Sequence, residues 1–572
     1  MLILLALCPV LVYTGWGLVC LEVNVRKARA LGVPVVRTPF DVNGYLWMVA
    51  QPLVWKLLAF IPVPWSSYPD FVRFSHRNWA YLENSSPTTR FGPAWALVSP
   101  GGVHLHLADP TAIEDIFSRR REFVRPVYKY GALAIYGASL FNVSIEEWPR
   151  HRKAVAAPFN ESVMKFVWHE SMRQSRSMAG YWTNQSAVGI PDMQRDLRTV
   201  TLNVLASSIF LETYDFIGST NLKLKELSTI ESFRSALLLV HHYIIYLIVI
   251  PYQYLVGPMV PRGLSKVAHA AKHLKDIMTK IIERERTAIK NGKPGSGGLV
   301  ASLTRATDHT SKKGTLSLEE ALSNIFLVNF AGIDTTANVL AFLVMRLASE
   351  PSTQHWLHEE ITTVTQGRPV EDWEYDLFPR FKRCMAVFLE TLRMYSPVTA
   401  LPKITPSGVR TVQVGERLIT IAPGTEVFVM IHGIQTDSKH WPDPLVWNPS
   451  RWILRSKTPD KIDGEKLLEP QKGIFCPWSA GAQNCVGAKV SQVESVAVLA
   501  SLLATHHLRV KAKPGETEEH IRKRVEDCCN DNNFNILLEM NNPAQIGLEC
   551  VPITDQYPGC GHDEDKGDNT QG

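Results

Sequence analysis

Paired cysteines are what this sequence lacks. Its nine cysteines are odd in number and scattered, two of them (Cys8 and Cys20) in the first apolar stretch. No CxxC spacing suggests a zinc site, and nothing suggests a disulfide framework. They read as reduced thiols, so any special cysteine must declare itself by its neighbours. A strong charge imbalance is also missing: the net charge is +5 over 572 residues. That gives no reason to invoke nucleic acid and leaves only local basic faces for acidic partners. No long Gly/Ser- or Pro-rich linker divides the chain, and no internal repeat is visible. One large unit is therefore expected, although the length alone would allow roughly two to four domains.

What is present begins at the N-terminus. From Met1 to Leu21 no side chain is charged, and Glu22 is followed by Arg26, Lys27 and Arg29. A run of ~20 apolar residues can span the ~30 Å core of a bilayer as a helix. A cleaved secretory peptide would start basic, have a shorter apolar region and end on an A-x-A-like site. Here the positive charges follow the apolar run, which predicts a transmembrane anchor over 1–22 with the rest of the chain cytoplasmic. A membrane-proximal linker over 23–60 and a folded domain over 61–553 would follow. The polar, Gly-rich residues 554–572 are expected to be disordered.

The texture from Phe71 to Ser396 is helical. Residues 409–431 turn to short β-rich runs broken by Gly415-Glu416 and Pro423-Gly424. A second β pair is expected at 535–540 and 545–551, on either side of Asn541-Asn542-Pro543. The fold class is therefore mainly α with small β-sheets.

Chemistry-bearing residues gather in four places. In Trp478-Ser-Ala-Gly481-Ala-Gln483-Asn-Cys485-Val-Gly487, glycines let the backbone close tightly enough to aim N–H groups at a sulfur ligand. The helical run 488–503 that follows points its positive end at the same thiol and lowers its pKa. Cys476 has no framing glycines and reads as a plain buried thiol. In the second place, Glu390 and Arg393 stand at i, i+3 on one helical face, a surface pair if taken alone. Trp447-Asn-Pro-Ser-Arg451-Trp452 follows downstream. Third, Ser317 and Glu320 form a capping box that opens a helix running to about Leu347. This helix contains Ala331-Gly332-Ile333-Asp334-Thr335-Thr336. Asp and Thr inside an apolar helix are costly unless used or satisfied; Thr335 bonding back to a carbonyl at a kink is the plain alternative. The fourth is Trp148-Pro-Arg150-His151-Arg152, by itself only a basic helix face.

Together these segments resemble the cytochromes P-450. The spacing from Gly481 to Cys485 to Gly487 fits the family's Phe-x-x-Gly-x-Arg-x-Cys-x-Gly loop, with Trp478 replacing the Phe and Gln483 replacing the Arg. The resemblance extends over roughly residues 60–553, with every motif in the family's order. It implies the cytochrome P450 fold and heme b, with Cys485 as the axial thiolate and only metal ligand. Trp478, Gly481 and Gly487 would frame the sulfur, and Ala331 and Gly332 would lie against the macrocycle. Trp148, Arg152 and Gln483 would meet the propionates, with Lys403 a further partner. Gln483 can hydrogen-bond a propionate but lacks charge, so Gln483→Arg is expected to slow haem loss unless Lys403 already fills the place. Glu390, Arg393 and Arg451 would form the family's core triad beneath the loop. Thr335 would hydrogen-bond dioxygen, and Asp334 would relay protons.

The reaction implied is insertion of one oxygen atom from O2 into a lipophilic small molecule. Electrons would come from NADPH through NADPH-cytochrome P450 reductase, with cytochrome b5 as a second donor, on a face carrying Arg150, Lys153 and Lys489. The anchor resembles the microsomal type, a single pass in the endoplasmic reticulum membrane. The loop wording looks like fungal members that work in secondary-metabolite biosynthesis. Two alternatives stay open: a haem-thiolate isomerase or dehydratase that needs neither O2 nor a reductase, and a haem-binding sensor or carrier. The Asp334-Thr335 pair argues against both. Finally, no charged side chain stands between Arg234 and Arg262, long enough for a second membrane span. The family's site needs Trp148 and Cys485 on one side of the membrane, so an apolar lid dipping into the near leaflet is expected instead. An ordinary buried helix pair is the alternative.

Overall fold

A computed structural model describes the chain from residue 2 to 553, apart from positions 43, 62, 132–133, 186–188, 211–212, 220–235, 238, 241–242, 259, 293–297, 308–315, 455–461 and 535. The expected disordered tail lies outside these residues, as do His241 and His242. The apolar N-terminal run forms helix α1 (Leu2–Arg29), and no break falls between 22 and 23, where the sequence predicts anchor giving way to linker. Val12, Tyr13, Trp16, Leu18 and Val19 are exposed along it. Its last turns pack against the domain: Val25 and Ala28 are fully buried, and Asn24 Nδ2 donates to the carbonyls of Ser99 and Pro100 at 3.0 and 3.2 Å.

Just beyond, β1 (Val35–Arg37) pairs in parallel with β2 (Ala94–Ser99), which turns back antiparallel into β3 (Gly102–Leu107). The stretch expected as a linker thus supplies a strand to the main sheet. Helices then dominate: α2 (Trp148–Ala156), α3 (Glu161–Gln185), α4 (Met193–Phe210), α5 (Arg262–Lys290) and α6 (Leu318–Ala348). The capping box of α6 forms as read, Ser317 accepting from the Glu320 N–H and Glu320 from the Ser317 N–H. Among the described residues α6 is the one helix long and apolar enough to cross a membrane, yet 83% of its most apolar window is buried inside the protein. A helix apolar all round and wrapped by others is a core helix.

After α7 (Lys382–Met394), β4 (Leu401–Ile404) and β5 (Glu426–Val429) complete a five-stranded sheet in the order β1-β2-β3-β5-β4. Between β4 and β5, Arg410–Val414 and Arg417–Ile421 make a hairpin of their own, turning at Gly415, whose φ of +55° suits glycine. Helix α8 (Ala488–Leu503) follows the cysteine loop with the boundaries its sequence suggests, and Ser175 on α3 donates to its Val498 carbonyl at 3.0 Å.

The second β pair is a correction. β6 (Asn532–Phe534) pairs with β7 (Leu538–Met540), while Leu548–Pro552 pairs with His506–Val510. The turn chemistry at Asn541-Asn542-Pro543 is real, but it joins strands of two sheets. Each strand finds a better partner elsewhere than the neighbour across the turn.

The uncharged stretch before Arg262 does not form a long helix among the described residues. It holds a six-residue helix, Ile244–Val249, about 9 Å long at 1.5 Å per residue and far short of a bilayer. Ile244, Leu247, Tyr252 and Leu255 are buried in the core that α5 and α6 share, while Tyr246, Ile250, Tyr254 and Val256 are exposed.

Candidate active site

The cysteine loop is shaped by one glycine above all. Gly481 has φ +67°, and a Cβ there would lie 2.5 Å from the Phe117 carbonyl oxygen. Any side chain would collide with backbone that cannot retreat. From Gly481 the chain makes a 3-10 turn to Gln483 and brings Cys485 back, its N–H donating to the Trp478 carbonyl at 2.8 Å. Trp478 Nε1 donates to Ser491 on α8 at 3.1 Å, and its ring packs against Phe388 on α7. The Trp therefore fills the Phe position and adds a bond.

Helix α8 starts directly after Gly487, with no side chain capping its first amides. Those amides are free to serve an anion. Cys485 presents its side chain to open space, although protein crowds it elsewhere. Burial raises its thiol pKa; the Gly487 and Ala488 N–H groups and the charges of Arg152 and Arg125 oppose that rise. Cys476 has no such help: it is buried, and its pKa is pushed up to about 12. Burial outweighs the helix start at Cys485, so its pKa stays above the ordinary thiol value and is not lowered as the sequence suggests; Cys476 differs in having no amide or cation that opposes its rise.

Beneath the loop, Glu390, Arg393 and Arg451 come together. Arg393 grips both oxygens of Glu390 at 2.9 Å, and Arg451 Nε adds a third bond at 3.0 Å. Trp452 Nε1 and the Asn448 N–H complete the carboxylate's shell, each at 2.9 Å. The remaining guanidinium N–H groups donate to carbonyls of Gln435, Pro444, Pro442, Asp443 and Val446. A buried charge cluster is tolerable only when so fully satisfied. It ties α7 to the segment that leads into the cysteine loop.

On α6, Thr335 Oγ1 donates to the Ala331 carbonyl at 2.7 Å, the back-bond of the plain alternative. Both residues are half-buried. Asp334 is buried, and its Oδ1 accepts from Arg198 Nε on α4 at 2.7 Å. Gly332 turns its bare face to α4, where a Cβ would lie 2.8 Å from Leu205 Cδ2. Its missing side chain therefore serves the packing of α6 on α4.

The fourth motif meets the loop from the side. Arg152 on α2 donates to the Asn484 carbonyl and side chain at 2.6 and 2.7 Å, next to Cys485. Trp148 is buried, and its Nε1 has no hydrogen-bond partner among the described residues. It lines a cavity of about 370 Å³ together with Arg121, Arg125, Leu140 and Gln483. Gln483 accepts from Lys403 Nζ on β4 at 3.0 Å. Burial, with the nearby Arg125 charge, lowers the Lys403 pKa to about 7. An indole N–H and two arginines line this cavity, with Lys403 reaching its Gln483 from outside the lining, and such a donor set fits the carboxylates of a porphyrin.

Two residues of this site escaped the sequence. Arg125 donates to the Leu140 and Gln483 carbonyls and faces the Phe141 ring; in the sequence it is one more arginine after Arg119-Arg120-Arg121. Arg198 lies 136 positions from Asp334 on a helix with no motif. Of the suggested docking residues, Lys153 and Lys489 are exposed, while Arg150 is paired with Glu320 and Glu147.

Residues 74–529 match the family described as cytochrome P450. A cytochrome P450 monooxygenase of Penicillium roqueforti is 25% identical over 535 residues, 87% of this chain and 90% of that protein. Another, from Arthrobotrys oligospora, is 24% identical over 571 residues, 93% and 95% of the two chains. The phomenoic acid biosynthesis cluster cytochrome P450 monooxygenase of Leptosphaeria maculans is 25% identical over 541 residues, 86% and 89%. Among solved structures, a cytochrome P450 heme domain aligns with TM-score 0.62 at 16% identity, covering 91% of this chain and 98% of that one. At that identity the likeness is one of fold.

Proposed function

Because this chain belongs to the cytochrome P450 family, we propose that Cys485 is the thiolate ligand of its haem and that it inserts one oxygen atom from O2 into a lipophilic metabolite. Membership makes it a haem-iron oxidoreductase of the monooxygenase type. The observation that carries the Cys485 assignment is the pairing of a glycine-forced loop with the uncapped start of α8 at one thiol. Haem with a thiolate ligand supplies O2 reduction and O–O cleavage when bound.

The chain's own residues supply the rest. The Gly487 and Ala488 amides and the Arg152 charge would stabilise the Cys485 sulfur as a thiolate once iron binds it, offsetting part of the cost of burial. Trp148, Arg125, Arg152 and Lys403 hold the porphyrin carboxylates. Thr335 and Asp334 would hold and move protons, which requires Thr335 to give up its bond to the Ala331 carbonyl. Apolar faces of α6, of residues 398–401 and of residues 134–141 orient the substrate and exclude water. Electrons come from NADPH-cytochrome P450 reductase, with cytochrome b5 as a second donor, docking near Lys153 and Lys489. The apolar N-terminal run, residues 1–22, anchors the enzyme to the endoplasmic reticulum membrane with its domain in the cytoplasm. Likeness to the phomenoic acid cluster enzyme supports a substrate from secondary metabolism.

The test is turnover of lipophilic fungal extracts under 18O2 with reductase and NADPH. One labelled oxygen atom in the product, and no product without NADPH, is expected. Product formed without NADPH or O2 would instead mark an isomerase or dehydratase.

A further inference from the structure

Asp334 shares its cation. Arg198, which binds Asp334 Oδ1 through Nε at 2.7 Å, turns its Nη2 toward Glu539 Oε2 on β7, 3.8 Å away. The first contact is a full hydrogen bond; the second lies within ion-pair range but beyond hydrogen-bond length. One guanidinium from α4 thus stands between two carboxylates from different elements, bonded to one and within reach of the other. The three side chains are 29%, 12% and 30% exposed for Arg198, Asp334 and Glu539, so the group sits at a margin where water reaches one end more than the other.

The backbone around them is held. Asn338, one turn beyond Asp334 on α6, donates to the Leu538 carbonyl next to Glu539 at 3.0 Å, and the Leu538 N–H donates to the Pro397 carbonyl. A change of partner therefore needs only side-chain rotation. A carboxylate oxygen bonded to a guanidinium must part from it before that oxygen can take up and pass on a proton. Opening it would strand a part-buried cation unless a second anion is near, and Glu539 is that anion. Burial and the Asp334 charge raise the Glu539 pKa, while Arg198 lowers it.

We propose that Arg198 is a positioning residue with two seats: on Asp334 it holds the carboxylate engaged, and by shifting to Glu539 it frees Asp334 to carry a proton toward Thr335. The proposal rests on the proton-delivery role proposed for Asp334. Glu539 is then a positioning residue too, acting through Arg198 and never on substrate.

The experiment uses the full-length haem-loaded enzyme reconstituted with reductase, with no organic substrate added. Reduction of O2 to peroxide consumes one NADPH and one proton per O2, and reduction to water consumes two of each. The NADPH:O2 ratio therefore reads proton delivery. Glu539→Gln is expected to lower the water-forming share several-fold and to enlarge the solvent deuterium effect. Glu539→Asp, which keeps the anion, is expected to match the parent. In an Arg198→Gln background, Glu539→Gln is expected to add nothing, while Arg198→Lys restores its effect. A parent-like ratio in Glu539→Gln, an equal loss in Glu539→Asp, or an undiminished effect in Arg198→Gln would overturn the latch. Asp334→Asn, run alongside, separates the two readings. If it leaves the ratio unchanged, proton delivery by Asp334 fails and the latch with it. If it lowers the ratio while Glu539→Gln does not, only the latch fails. The carbon monoxide difference band checks that each variant holds haem as the parent does.

Discussion

Lys403 is the residue through which the Gln483 substitution can be tested. The loop position that carries Arg elsewhere in the family carries Gln483 here, and Lys403 bonds to it from β4. In the folded protein burial makes this ammonium hard to charge, with a pKa of about 7. Charging it therefore costs stability below that pH, and the cost fades as pH rises toward the ordinary lysine range. A porphyrin carboxylate reverses the balance, because it binds the charged form. Haem should therefore be held best below about pH 7 and released faster as pH rises above it. Haem transfer to apomyoglobin, followed against pH, is expected to accelerate several-fold across that range in the parent and to stay flat in Lys403→Met. Gln483→Arg would bury a third cation near Lys403 and Arg125, so it should speed haem loss. The double variant Gln483→Arg, Lys403→Met should recover retention. For Thr335, replacement by Ala removes only the back-bond and the proposed proton donor. Haem content is expected to hold while peroxide formed per NADPH rises; unchanged coupling would leave Thr335 as a helix-kink residue.

At the scale of elements, the triad joins α7 to the approach of the cysteine loop. Glu390→Gln would leave Arg393 and Arg451 buried without their counter-charge, a cost of about 3–5 kcal/mol. A lower urea midpoint with most haem lost is the expected result; a parent-like melt would mean the cluster holds nothing together. The motifs were legible because each is local. Glycine spacing, a capping box, an i, i+3 ion pair and the α8 boundary follow from residues a few positions apart. Pairing across long separations was not legible. Asn541-Asn542-Pro543 looks like a hairpin turn, yet β7 pairs backward with β6 and Leu548–Pro552 pairs with His506–Val510. Gly332 reads as room for a cofactor, but its partner Leu205 stands far away in the chain. Arg198 and Glu539 carry no motif at all.

For the whole molecule, α1 belongs partly to the domain. Deleting residues 2–22 is expected to release a stable, haem-binding protein into the soluble fraction. Deleting residues 2–29 also removes Asn24, Val25 and Ala28 from their contacts and should cost about 2 kcal/mol or more, read as a lower melting temperature. Equal melting temperatures would mean the contacts of α1 with the sheet contribute nothing. Glycosylation sites engineered after Arg262 and near the C-terminus should both stay unmodified in microsomes. Everything at this scale turns on one thiol reaching one iron. The direct measurement is the carbon monoxide difference spectrum of Cys485→Ser beside Cys476→Ser, in protein of matched folding by circular dichroism. The band that names the family is expected to vanish in Cys485→Ser and persist in Cys476→Ser. Persistence in Cys485→Ser would contradict the assignment on which the whole site is built.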